Sequence, residues 1–157
     1  MRSACSAIVA AALLLSCAGG GSVSASPRAV AFSEVASTAM SDHDAGPAIV
    51  VGTSAAARAA ITREIPVKVQ DGQVLVAVFE GLQRTGGYAI RIIAIERSGD
   101  RLTVRATFTK PPADAIVTQV LTSPAHVVSI STNDAAGLRE AVLLDETGTE
   151  RARLNST

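Results

Sequence analysis

QVLVAVFEGLQRTGGYAIRIIAIER, running from Gln73 to Arg97, carries the pattern on which the fold turns. Two apolar runs, Val74–Phe79 and Ala89–Ile95, flank a turn built on Thr85-Gly86-Gly87-Tyr88. Short runs rich in Val and Ile, bounded by Gly and polar residues, read as buried strands rather than helices. Glycine takes positive φ without a Cβ clash, so the chain can reverse sharply at Gly86-Gly87. Val74–Phe79 is apolar on both faces and belongs at the centre of a sheet. In the second run Tyr88, Ile90 and Ile92 share one face, whereas Ile93 and Ile95 fall on the other. That slip predicts a bulge near Ile92-Ile93, or a strand covered on both sides.

Downstream, Ser98-Gly99-Asp100 closes a hairpin into Arg101–Thr109, where Leu102, Val104, Ala106 and Phe108 alternate with polar residues. Pro111-Pro112 ends that strand, since neither residue can donate a ladder hydrogen bond. Ile116–Thr122 and Val127–Ile130 read as two further extended runs, interrupted by Ser123-Pro124. In the tail, Ala141–Asp145 and Glu150–Leu154 could pair across Thr147-Gly148, or Asp134–Leu144 could form a short helix; the hairpin is favoured. Upstream, Ile65–Val69 alternates as an edge strand, because Pro66 removes a donor, and Asp71-Gly72 suits a tight hairpin turn after it. Ala48–Val51 is the expected first strand, and Thr53 or Ser54 caps a brief alanine-rich helix through Ile61. Arg28–Ala45 shows no periodicity and is expected to be irregular. The fold class is therefore mostly β: a small antiparallel β-sheet domain, sandwich or open barrel, with one short helix.

The N-terminus reads as an address. Arg2 is a short positive region, and Ala4–Leu15 is an apolar stretch too short to span a bilayer. Leu14-Leu15-Ser16-Cys17 resembles the lipobox of bacterial lipoproteins, with Leu three residues before a Cys and a small residue directly before it. That resemblance implies acylation at Cys17 and a lipid-anchored protein of the bacterial cell envelope. Cleavage after Ala25 is the alternative and would give a secreted or periplasmic protein. Cys5 and Cys17 are the only cysteines, so a domain beginning after them holds no disulfide. The Gly/Ser-rich Ala18–Pro27 suits a tether. The expected organisation is a signal peptide over 1–16, a flexible tether over 17–45, a β domain over 46–131 and a C-terminal extension over 132–157.

Chemistry is sparse. With 14 basic and 14 acidic residues and no basic run, the chain has no electrostatic footprint for nucleic acid. His43, in Ser41-Asp42-His43-Asp44, reads as part of a solvated loop rather than a metal site. His126, after Pro124-Ala125, reads as a partly exposed residue at a strand entrance. No nucleophile–base set, phosphate loop or Cys/His ligand spacing is recognisable, so neither an enzyme nor a cofactor is expected.

VAVFEGLQRTGGYAIRI, RLTVRATFTKPP and IVTQVLTSPAHVVSI together resemble the C-terminal domain of the PrcB family, bacterial lipoproteins named for a subunit of a surface protease complex. The resemblance runs over Val74–Ile130 and is carried by Gly81, Thr85-Gly86-Gly87-Tyr88 and Ile90, then by Gln119, Thr122, Pro124 and His126-Val127-Val128. The chain departs from the family pattern at Pro111-Pro112-Ala113-Asp114, where Pro-Gly is usual, and at Ser123 and Ala125, where aromatics flank the proline. The resemblance implies an accessory or stabilising subunit that binds a protein partner, a secreted protease among the candidates, and touches membrane only through its lipid. Thr85, Gly86, Gly87, Tyr88, Pro124 and His126 are the expected partner-binding residues. The same turn also resembles the Thr-Thr-Gly-Tyr loop of chagasin-type cysteine-protease inhibitors, so direct protease inhibition is the rival expectation. A small-ligand carrier would need an apolar cavity for which this core is too small.

Overall fold

The computed structural model describes residues 26–155. Nine strands and two helices follow in order: β1 (Arg28–Ala29), β2 (Ser33–Thr38), β3 (Ala48–Val51), α1 (Ala55–Glu64), β4 (Gln73–Phe79), β5 (Ala89–Ser98), β6 (Arg101–Thr109), β7 (Ala125–Ser131), α2 (Thr132–Ala135), β8 (Glu140–Leu144) and β9 (Glu150–Asn155). They form two sheets, ordered β1-β5-β6-β8-β9 and β2-β7-β4-β3, which do not close into a barrel. The second sheet is antiparallel throughout; in the first, β6 and β8 run parallel.

The core lies between the sheets. Val74, Val76 and Val78 of β4 meet Ile90, Ile92 and Ile95 of β5, with Leu102 and Val104 of β6 and Val128 and Ile130 of β7. The opposite face of β4, with Leu75, Ala77 and Phe79, packs under Ile61 and Ile65 of the α1 region. Apolarity on both faces of β4 thus follows from its place between the other sheet and a helix. Ser54 caps α1 as expected, accepting from Ala57 N–H through its side chain, and the helix runs one turn beyond Ile61.

The bulge falls where the sequence placed it: the β5–β6 register shifts between Ile92 and Ala94, which returns Ile95 to the core and leaves Ile93 exposed. The β8–β9 hairpin also forms. Its first strand extends the sheet beside β6, and Ala141 and Leu143 enter the main core.

Four expectations change. Residues 28–38 are not irregular but supply β1 and β2, short strands whose exposed residues leave no alternation to read. Ile65–Val69 forms no strand; β3 and β7 flank β4 on both sides, so β4, the strand it precedes, has no open edge to pair with it. Ile116–Thr122 is not a strand but an exposed arm, with bridges only at its end. The Gly-Gly turn does not close a hairpin, because β4 and β5 lie in different sheets, and residues 80–88 carry the chain from one to the other.

Candidate functional site

The sheet-to-sheet crossing is built from two segments that brace each other. Residues 81–88 leave β4, and residues 110–124 leave β6 on their way to β7. Gln83 and Thr122 exchange backbone hydrogen bonds of 2.7 and 3.0 Å, and Gly86 N–H donates to the Thr118 carbonyl at 2.9 Å. The Thr122 hydroxyl adds a bond to the Thr85 carbonyl at 2.9 Å.

The glycines explain how closely the segments approach. Gly87 has φ +89°, and a Cβ there would lie 2.9 Å from Pro111 Cβ. Gly86 has no positive φ, but a Cβ on it would meet Thr118 Oγ1 at 2.4 Å. Gly81, at the start of the crossing, has φ +85°, and its absent Cβ makes room for the Ala45 carbonyl. On the far side of the arm's end, Ser123 N–H donates to the Ala39 carbonyl and Ser41 N–H to the Ser123 carbonyl, both at 2.9 Å.

Thr85, Gly86, Gly87 and Tyr88 therefore sit together against the arm, with Gly87 exposed and Tyr88 half-buried. Pro124 and His126 do not join them as contact residues. Pro124 is buried, its carbonyl accepting from Glu80 N–H at 2.9 Å. His126 is 1% exposed, and corrects the expectation of a partly exposed turn residue.

The His126 ring instead ties the two sheets together. The Ile92 N–H donates to Nδ1 at 3.2 Å, and Nε2 lies 3.1 Å from the Glu34 carboxylate. A backbone N–H can only donate, so Nδ1 accepts and the ring proton sits on Nε2. The bond from His126 holds the Glu34 carboxyl below its usual range, and Arg91, 3.0 Å from the same oxygen, adds to the effect. This histidine closes the flank of β5 that the two-residue β1 leaves uncovered. His43 is likewise a pin: its ring stacks at 4.7 Å on Phe79, Nε2 lies 3.1 Å from the Gly46 carbonyl, and its own carbonyl accepts from the Ser123 hydroxyl.

Part of what the crossing presents outward is apolar, beside exposed Arg84, Lys110, Asp114, Thr118 and Gln119. Leu82, Ile116, Val120 and Leu121 are all exposed, Ile116 completely, and Met40 stands across from Ser123. Arg84 and Lys110 belong to the same segments and form no ion pair among the described residues. Exposed apolar side chains gathered in one place are a feature that a folded surface rarely keeps without use. No group of His, Cys, Asp and Glu side chains suited to a metal occurs among the described residues.

Residues 74–131 match the family model described as PrcB C-terminal. The PrcB C-terminal match begins at the second residue of β4 and ends with β7, so it contains the whole sheet-to-sheet crossing. It stops before β8 and β9, which extend the first sheet. No curated protein and no solved structure matches the chain. Cys17, the expected lipidation site, lies outside the described residues.

Proposed function

We propose that this chain is a lipid-anchored interaction protein of the bacterial cell envelope, an accessory subunit that docks or stabilises a secreted protease or another surface complex. The observation that carries the proposal is the exposed apolar arm of Ile116, Val120 and Leu121, braced against the Thr85–Tyr88 turn inside the PrcB C-terminal match. Attachment through Cys17 is read from the lipobox resemblance. The proposal assigns the chain no catalysis. The inhibitor reading is disfavoured by geometry: Gly86 N–H and the Thr85 carbonyl are both engaged by the arm, so the turn does not project as a free loop.

The test has two parts. Palmitate should label the expressed protein and fail to label Cys17→Ala; an unlipidated mature protein beginning at Ser26 would remove the anchor. Solubilised envelope should yield a partner with the wild-type chain that is lost with Leu121→Asp and Tyr88→Ala. Equal recovery by all three would move the binding surface away from this rim.

A further inference from the structure

The rim where β4 begins and β7 ends, away from the arm, holds a cleft of about 620 Å³, within the range of small-molecule sites. It is walled by α1, by the 69–74 turn and by α2 with Gly137; Val74 and Ala135 are its buried lining. Thr62 spends its hydroxyl on the Ala59 carbonyl. The other polar side chains that line the cleft are Thr53, Arg58, Gln70, Asp71, Gln73 and Thr132, and none makes a hydrogen bond or ion pair with a described residue. Charges on the neighbouring elements are spent. Arg28 pairs with Asp134 of α2 at 2.6 Å, and Arg97 donates to the carbonyls of Asn133, Asp134 and Ala136. Lys68 is unpaired too, but it does not line the cleft. Arg58 is laid against its wall: a Cβ on Gly52, whose φ is not positive, would stand 3.0 Å from Arg58 Cγ, so that glycine makes room for the arginine's stem.

The lining says what kind of ligand fits. No aromatic side chain borders the cleft, so a planar ring finds no face to stack on, and charge and hydrogen bonding are left to select the occupant. The charged groups are one guanidinium on α1 and one carboxylate on the 69–74 turn, which do not reach each other. A ligand that satisfies both carries a negative and a positive group of its own. We infer that the cleft binds a small zwitterion, a short peptide with both ends free. Its carboxylate meets the Arg58 fork, its ammonium meets Asp71, and its peptide groups exchange hydrogen bonds with the free amides of Gln70 and Gln73 and the hydroxyls of Thr53 and Thr132. Nothing in this assignment depends on a partner at the arm, which leaves the domain from the opposite rim.

L-alanyl-L-alanine serves as the probe, titrated into the full chain and followed by amide NMR, with its N-acetylated and C-amidated forms alongside. Saturable shifts should gather at residues 70–73 and around Arg58 and Thr132. Blocking either end should weaken binding by about tenfold or more. Two variants then assign the ends. Arg58→Gln should bind the amidated and free dipeptides alike while still rejecting the acetylated one, and Asp71→Asn should do the reverse. Both positions are exposed, so thermal melting of both variants should match wild type, which separates lost contact from lost fold. No saturable shift, equal binding of free and blocked dipeptides by wild type, or unchanged discrimination in both variants overturns the assignment. Phosphoethanolamine presents the same pair of charges as a lipid headgroup; if it binds more tightly than the dipeptide, the cleft is a headgroup site and the peptide is overturned. Failure of all these ligands leaves the docking reading of the arm standing, and loss of that reading leaves the cleft untouched.

Discussion

At the scale of single residues, the crossing depends on side chains that are missing. Gly81 and Gly87 both occupy positive φ, where an L side chain is strained by roughly 1 kcal/mol or more, and each also faces a neighbour where its Cβ would go. At Gly81 that neighbour is the rigid backbone carbonyl of Ala45; at Gly87 it is the Pro111 ring. Gly81→Ala should therefore lower stability more than Gly87→Ala, and Gly86→Ala least, since the Thr118 hydroxyl can rotate away; urea midpoints of the three variants check the order. Glu80, next to Gly81, makes a different prediction. Burial pushes its carboxyl up to about 7, against the opposing fields of Arg151 and Lys110, and its Oε2 has no hydrogen-bond partner. The folded state thus holds a proton that the unfolded chain releases near pH 4.5. The sign follows: this contribution to stability is complete below pH 4.5, shrinks as pH rises, and is gone above about 7. Glu80→Gln should flatten the loss between pH 5 and pH 8 by on the order of 1–3 kcal/mol relative to wild type in urea unfolding. An unchanged slope would mean that the carboxyl is hydrated. Glu80 did not stand out in the sequence, and His126 did so only as an expected partner-binding residue at a strand entrance, not as a buried link between sheets. A lone histidine between a proline and two valines looks like a turn residue, and only the register of β5 against β7 reveals an N–H waiting for its ring.

At the scale of elements, what was legible is what local pattern encodes. The alternation in β6, the slipped periodicity of β5, the Ser54 cap and the Thr147-Gly148 hairpin all translate directly into structure. Pairing partners were not legible, because they depend on which edges remain open after the whole chain has folded. Ile65–Val69 and Ile116–Thr122 have strand-like composition but are not paired into either sheet, apart from the Thr122 bridge to Gln83. The parallel β6–β8 pair was hidden for the same reason: it joins segments more than thirty residues apart, with β7 of the other sheet between them in sequence. That pairing carries a prediction. Ala141, Val142 and Leu143 of β8 are buried, so a chain ending at Arg139 exposes the edge of β6 together with that part of the core. Loss of three buried apolar side chains amounts to several kcal/mol, comparable with the whole stability of a small domain. The truncated chain should lose cooperative thermal unfolding, although the PrcB C-terminal match is intact within it. A sharp melt at the wild-type temperature would show that residues 74–131 need no support from the last hairpin.

At the scale of the molecule, both ends of the described chain lie at one rim and the arm lies at the other. Arg28 pairs with Arg97, so residue 26 enters beside Gly99, and Asn155 ends opposite Glu140 at that same rim. Thr109, Ala89, Phe79 and Ala125 mark the opposite rim, from which the crossing and the arm depart. β6 spans nine residues between them, a separation of about 30 Å at the rise of an extended strand. If Cys17 holds the lipid, the tether joins the domain at the first rim, and an upright domain would direct the apolar arm into the aqueous space, where a protein can cover it. This orientation can be measured in the lipidated chain on vesicles that carry nitroxide headgroups. In that lipidated chain processing would have removed Cys5 and acylation would block Cys17, so a cysteine introduced by Asp100→Cys or Gln119→Cys would be the sole reactive thiol for a fluorophore. The label at position 100 should be quenched strongly and the label at 119 weakly, since nitroxide quenching acts over a shorter distance than the separation of the rims. Equal quenching would mean that the domain lies flat on the surface. Stronger quenching at 119 would place the arm in the membrane, with Ile116, Val120 and Leu121 as inserted side chains rather than a docking edge.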